Sequence, residues 1–451
     1  MFDNVFIKEV KTILYMITSY GIDRTKTEKK FSKGEVIKDF DHFIIQVHIG
    51  FMMAQKNILF NLQRLSKDKK NLKKIIKASN MDIDNRNKLK EKVKILELKE
   101  SIMKKLADSI AWQLLDHDYT SIRRLYHDQN QMDIENSNIS HDIATIDAIF
   151  NEDKRRFPLI TDITSFIQTG DVLLKDTSKG NGSISIIELK EGKVNEKIEE
   201  IITNYKENLC DYYLHNELKT KDEKFFKQFS RYIKQQQTMI SVINTINTGE
   251  GIDHSTGLNV KISEDIFEVN SYEKDILDMM EEVNKKNSSI RVIDDCLLIG
   301  VYNNTKINIQ AAFKVWVDAL KIDFPIINII NSINTPLAYP MFILPFSLED
   351  KIKLIDGKKT VLMCLDINKW LDKISEKDIS YRYLTTKETG RINSVNKNIK
   401  AFVLNDKAIE FDYKGTKTLL YDGLFGRMFY ELIRPLSIID FLRHNLLHFY
   451  E

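Results

Sequence analysis

Apolar residues recur at three- and four-residue spacing through residues 43–65 and 89–125, with almost no Gly or Pro, which predicts long helices over most of residues 1–128. The polar stretch 80–87 predicts a break between two of them. Residues 108–126 form the most strongly amphipathic part, with Ile110, Leu114, Ile122 and Leu125 along one side. Residues 129–140 are polar and rich in Asn and Asp and read as a loop.

Near Phe157 the pattern changes. Residues 171–174 and 183–190 predict two strands, joined by the Gly- and Asn-rich loop 176–182 in a hairpin. After Gly192 the period is helical again, with Ile198, Ile201, Ile202, Tyr205 and Leu209 on one side. Further helices are predicted over about 223–246 and 272–287, followed by a strand over 291–302. The C-terminal third mixes short strands, 360–365 and 401–404, with helices. The last helix, 423–449, contains Pro435, which should kink or divide it.

At 451 residues the chain is too long for one simple core and predicts two or three domains. Hydrophobic residues make up 43% and charged residues 29%, an ordinary globular composition that argues against overall disorder. The net charge of +2 excludes a polycation as a whole, but residues 56–105 hold sixteen Lys/Arg against six Asp/Glu. Such a run can meet an anionic polymer by counterion release, and it is equally what a solvated helical hairpin in a Lys-rich chain would carry. Cys210, Cys296 and Cys364 are far apart, which argues against a disulfide framework or zinc knuckle and fits a reducing compartment. Charged residues in the first turns argue against a signal peptide, and the apolar stretch 337–346 is too short to span a bilayer. The expectation is a cytoplasmic protein without a membrane partner. No phosphate-binding loop of the GxxxxGK[ST] form occurs, so no ATP-driven motor is visible.

The stretch that points to chemistry is Gly170-Asp171-Val172-Leu173-Leu174, the loop, and then Ile184-Ser185-Ile186-Ile187-Glu188-Leu189-Lys190. Alternation along a strand puts Glu188 and Lys190 on one face and Leu189 on the other. A hairpin would lay Asp171 beside Glu188. Two carboxylates are the hard oxygen ligands that Mg²⁺ takes while keeping waters and room for a phosphate oxygen. A nearby ammonium can orient a water or offset developing charge, and the Leu189 carbonyl would add a neutral ligand.

Gly-Asp-Val followed after a hairpin by Ile-Glu-Leu-Lys resembles the core motif of the PD-(D/E)XK, or restriction-endonuclease-like, nucleases. The resemblance spans roughly residues 105–305, its specific motif only 171–190. It implies an α/β core with a central mixed sheet flanked by helices, Asp171, Glu188 and Leu189 as ligands of Mg²⁺ or Mn²⁺, and Lys190 as the catalytic lysine. Gly170 stands where the family has proline. The resemblance also implies an acidic residue on the helix before the sheet, for which Asp116, Asp118, Asp142 and Asp147 are candidates. On the helix behind the active strand it implies a Gln or Arg touching the site, a part for Gln236 or Gln235. His117 and His127 read as surface or capping residues.

The expected architecture is therefore a helical N-terminal arm (1–105), a restriction-endonuclease-like core (106–305) and an α+β C-terminal domain (306–451). The expected function is metal-dependent hydrolysis of phosphodiesters, in DNA ahead of RNA, with bacterial defence against foreign DNA as the setting the class implies. The alternative is a nuclease-like module that binds nucleic acid or protein without turnover. Assembly with a second copy or a protein partner is left open.

Overall fold

Asp3 accepts a hydrogen bond from the Phe6 amide and starts helix α1 (Asn4–Thr18), which is followed by α2 (Tyr20–Lys26). The predicted long helices are α3 (Val36–Ala78) and α4 (Ile83–Leu114), the latter capped by Asp82. The computed structural model describes residues 2–26, 36–78, 82–127, 134, 139–178, 182–189, 193–208, 211–219, 221–252, 259–261, 269–304, 308–395 and 401–448. The helix expected to run on to residue 125 stops at Leu114, because Asp116 and His117 take left-handed backbone (φ 53° and 59°). Asp118 then caps the short α5 (Tyr119–Arg124) through the amides of Thr120 and Ser121. Within α3 one window is apolar and long enough to cross a bilayer, and 44% of it is buried inside the protein.

Helix α6 (Ile139–Glu152) leads into a three-stranded antiparallel sheet of β1 (Arg156–Ile160), β2 (Val172–Asp176) and β3 (Ser183–Ile187), in that spatial order. Helices α7 (Lys193–Asn208), α8 (Asp211–Lys219) and α9 (Glu223–Thr248) follow. The outer edge of β1 is closed by α3 instead of a fourth strand. The buried Gln55 amide donates to the Pro158 carbonyl (2.9 Å) and accepts from the Ile160 amide (3.2 Å), so the edge groups are satisfied. On the far side α9 covers β3, and Asn247 bonds both backbone groups of Ile184.

The chain continues through a short hairpin, β4 (Glu250–Ile252) and β5 (Asn259–Lys261), to α10 (Glu273–Lys286). The single strand expected over 291–302 is a hairpin, β6 (Ser288–Ile293) and β7 (Leu297–Asn303). Asp294 and Asp295 turn it, both at positive φ (50° and 58°), the conformation of a tight hairpin turn. After α11 (Ile309–Ala319), β8 (Ile327–Asn328) and α12 (Leu348–Ile355), strand β9 (Lys359–Leu365) pairs with both β7 and β8. The boundary expected at 305/306 therefore falls within one sheet, of order β6-β7-β9-β8. The mixed sheet expected for the core is antiparallel at every pairing among the described residues, because its next predicted strand went to this second sheet.

The remainder comprises α13 (Ile367–Ser375), β10 (Ser380–Tyr383), α14 (Thr386–Val395), β11 (Val403–Leu404), β12 (Lys407–Tyr413), β13 (Thr416–Leu419), α15 (Asp422–Tyr430) and α16 (Pro435–His448). Pro435 divides the expected last helix by opening α16 at its first turn, where its missing N–H costs nothing. One continuous core of buried side chains runs from Phe6 in α1 to Ile439 in α16. The three sequence segments thus share a hydrophobic interior.

Candidate functional site

The register of the first sheet decides where the carboxylates lie. Val172 pairs with Ile187, so Asp171 and Glu188 occupy the next opposed positions, just beyond the strand ends. Opposed residues in an antiparallel pair project to the same face. The Asp171 amide donates to the Ile187 carbonyl (2.9 Å), and the Leu189 amide donates to Asp171 Oδ2 (2.5 Å). The Asp171 carboxylate thus stands in for the backbone acceptor that would continue the ladder. Leu189 is brought to Asp171 through this bond. Lys190 lies outside the described residues.

The same sheet end gathers further acids. Thr161, directly after β1, donates its amide to the Asp171 carbonyl (3.0 Å) and its hydroxyl to the Gly170 carbonyl (2.6 Å), which sets Asp162 at this end. Burial and the Glu188 carboxylate push the Asp171 carboxyl up to about 7, against the Leu189 amide, which lowers it; Asp142 and Asp162 add to the rise. Of the four upstream candidates, only Asp142, buried on α6, acts on Asp171 in this way. Asp116 pairs with Lys175 (2.8 Å), Asp118 caps α5, and Asp147 pairs with Lys56 (2.6 Å). Asp162 was missed by sequence reasoning; its signal is an acid two residues past the end of the apolar strand Phe157–Ile160. No cluster of three or more His, Cys, Asp or Glu side chains poised for a metal occurs among the described residues.

The backbone at Gly170 requires glycine. Its φ is +68°, which the pyrrolidine ring forbids. A Cβ there would collide with Ile186 Cγ2 and approach the Ile187 carbonyl oxygen to 3.1 Å. Gly170→Ala should therefore cost about 1–2 kcal/mol from the left-handed backbone alone, with a further loss as β3 is pushed away from Asp171. A denaturant midpoint equal to that of the parent would refute this account.

Helix α9 roofs the site. Met239 lies over Gly170, and Tyr232 is buried two helical turns earlier, its phenol raised by burial first, then by the Glu199 charge and then by Glu188. Gln236 is half-buried on this helix, as is Gln235, while Gln237 is exposed. Gln235 lines a cleft of about 470 Å³ with Tyr232, Gln228, Lys224, Lys227 and Arg231 of α9 and Asn195 of α7. His127 is half-buried and bound to Thr169 Oγ1 (2.7 Å), and the exposed His117 stacks on Tyr339 and bonds its hydroxyl (3.1 Å).

Part of the basic run of α3 and α4 is stitched to acids. Lys69 pairs with Glu100 (2.6 Å), Lys73 with Glu97 (3.0 Å), and Lys99 with Asp3 (2.5 Å). The lysines of residues 67–77 lie roughly 18–33 Å along the α3 axis from Gln55, where that helix meets the sheet. No protein-family model, curated protein or solved structure matches the chain.

Proposed function

We propose that this chain is a metal-dependent nuclease of the restriction-endonuclease-like type, hydrolysing phosphodiester bonds at the Asp171/Glu188 end of the first sheet. The observation behind the reading is the cross-strand pair itself: two carboxylates at opposed positions of one hairpin, where burial first and the Glu188 charge second push the Asp171 carboxyl up to about 7. Apposed acids at a sheet end cost stability, and a divalent cation is the ligand that relieves them. The donor set this reading assigns to Mg²⁺ or Mn²⁺ is Asp171 and Glu188 as direct ligands with the Leu189 carbonyl; Asp142 and Asp162 add negative charge that favours a cation there. Bound there, the ion would polarise a phosphoryl oxygen and acidify a water.

The protein's own groups have separate tasks. Glu188 and Asp171 hold charge at fixed positions across the hairpin. The Leu189 amide orients the Asp171 carboxylate. Lys190, by the motif it shares with the family, positions the attacking water or offsets charge on the phosphate. Gln236 and Gln235, on the roofing helix, are neutral donors toward the phosphate. A helix carrying a buried acid before the sheet and a helix carrying glutamines behind β3 also agree with the resemblance.

The test is cleavage of plasmid, single-stranded DNA and RNA by purified protein with Mg²⁺ or Mn²⁺ and with chelator. Cleavage should need the metal and fall at least about 100-fold in Glu188→Ala and in Lys190→Ala. Unchanged rates in both variants would overturn the site. Failure to cut any substrate would favour the non-catalytic binding module.

A further inference from the structure

Six residues of α9 line the cleft beside the site: Lys224, Lys227, Gln228, Arg231, Tyr232 and Gln235. Their spacing, i, i+3, i+4, i+7, i+8 and i+11, is one face of a helix, so the three cations follow each other along about 10 Å of surface. Asn195 of α7 forms the opposite wall and is held by the Gln228 amide (2.7 Å). The last residue of this face, Gln235, stands one helical turn before Met239, which lies over Gly170 beside Asp171. The cleft therefore leads from solvent toward the carboxylate pair.

The charges in it are not spent on the fold. Lys224 and Arg231 have no ion pair among the described residues, and Lys227 pairs only with Glu223 (2.8 Å), both side chains being more than three-quarters exposed. An exposed pair of this kind contributes little and yields easily to a better anion. Like charges at three- and four-residue spacing repel each other, and an anion bound among them removes that cost. Two ammoniums and a guanidinium are charged donors for phosphate oxygens. At about 470 Å³ the cleft has the volume of a small-molecule site.

We propose that this cleft binds backbone phosphates of the nucleic-acid strand next to the phosphate being cut, and so guides that strand to Asp171 and Glu188. The identity of the anion rests on the nuclease reading; the anion site itself rests on the cleft. Recognition here goes to phosphates and not to base edges, so the contact is independent of sequence.

Binding is read by fluorescence anisotropy of a labelled single-stranded oligonucleotide, in chelator, across a salt series. The triple variant Lys224→Gln/Lys227→Gln/Arg231→Gln should bind at least about 10-fold more weakly, and its slope of log affinity against log salt should be shallower by about 2. The exposed trio Lys285, Lys286 and Lys387, changed to Gln as a charge-matched control, should leave both unchanged. Inorganic phosphate at matched ionic strength should fail to displace the oligonucleotide at low millimolar concentration. An unchanged slope in the triple variant, an equal loss in the control, displacement by free phosphate, or absence of binding by the parent protein would each overturn the cleft assignment. If the triple variant behaves as expected but no substrate is cut with metal, the nuclease reading alone has failed. If Glu188→Ala abolishes cutting while the triple variant binds as the parent does, the cleft alone has failed.

Discussion

Asp171→Asn should make the metal-free protein more stable at pH 8 while abolishing cleavage. In the folded chain the Asp171 carboxyl is pushed from its ordinary 3.8 up to about 7 by burial and by Glu188. Below pH 4 it is protonated both folded and unfolded. Between about 4 and 7 only the unfolded chain has released the proton, so the folded state loses relative stability as pH rises, and the loss persists above 7. The full displacement would correspond to about 4 kcal/mol. Asp171 is only partly buried, and solvent screening brings the expected gain from Asn to about 1–3 kcal/mol. Asn retains an oxygen for the Leu189 amide, so the turn is preserved. Denaturation in chelator should show the gain at pH 8 and its disappearance toward pH 4. Added Mg²⁺ or Mn²⁺ should raise the Tm of the parent and not of the variant. A variant less stable than the parent at pH 8, or stabilised equally by metal, would remove Asp171 from the proposed site.

This opposition between stability and ligand binding was partly legible in the sequence. The hairpin could be read because its signals are local: apolar alternation in two short runs, a Gly/Asn loop, and acids at the run ends. The register that opposes Asp171 and Glu188 follows from that loop. The glycine before Asp171 was visible as an exception, but only the backbone gives it a reason, a left-handed φ beneath Ile186. Asp162 reaches the site through the pairing of β1 with β2, a contact that no periodicity announces. Two polar pairs inside apolar patterns, Asp116-His117 and Asp294-Asp295, form turns at positive φ that no periodicity predicts. The second turn has consequences, because it makes a hairpin of the single strand expected over 291–302 and sends β7 to pair with β9, outside the first sheet. The cations of the cleft stand at helical spacing and were readable. Their wall, Asn195, joins them only when α7 folds against α9.

The other large effect should come from a residue remote from chemistry. Asp108→Ala should destabilise the protein by about 3–5 kcal/mol. Asp108 and Lys105 form an ion pair of 2.9 Å with both side chains fully buried in α4. Lys105 also donates to the carbonyls of Thr335 (2.9 Å), Pro336 (3.3 Å) and Ala338 (3.4 Å), and Asp108 accepts from the Ser165 amide (2.7 Å) and hydroxyl (2.5 Å). The pair therefore joins three parts of the chain: the long helix, the loop that delivers Gly170 and Asp171, and the segment after the second sheet's β8. Removing the carboxylate leaves a buried ammonium without its counter-charge and a Ser165 amide without an acceptor. Asp108→Asn keeps an acceptor for Ser165 but not the charge, and should fall between the two. Removing both charges in Lys105→Met/Asp108→Asn should cost less than Asp108→Ala alone, because no ion is then stranded. Denaturant midpoints of the four proteins give these differences directly. A loss below about 1 kcal/mol in Asp108→Ala would mean that the three carbonyls alone suffice for Lys105, and that the loop carrying Asp171 is held in place by the sheet instead of by α4.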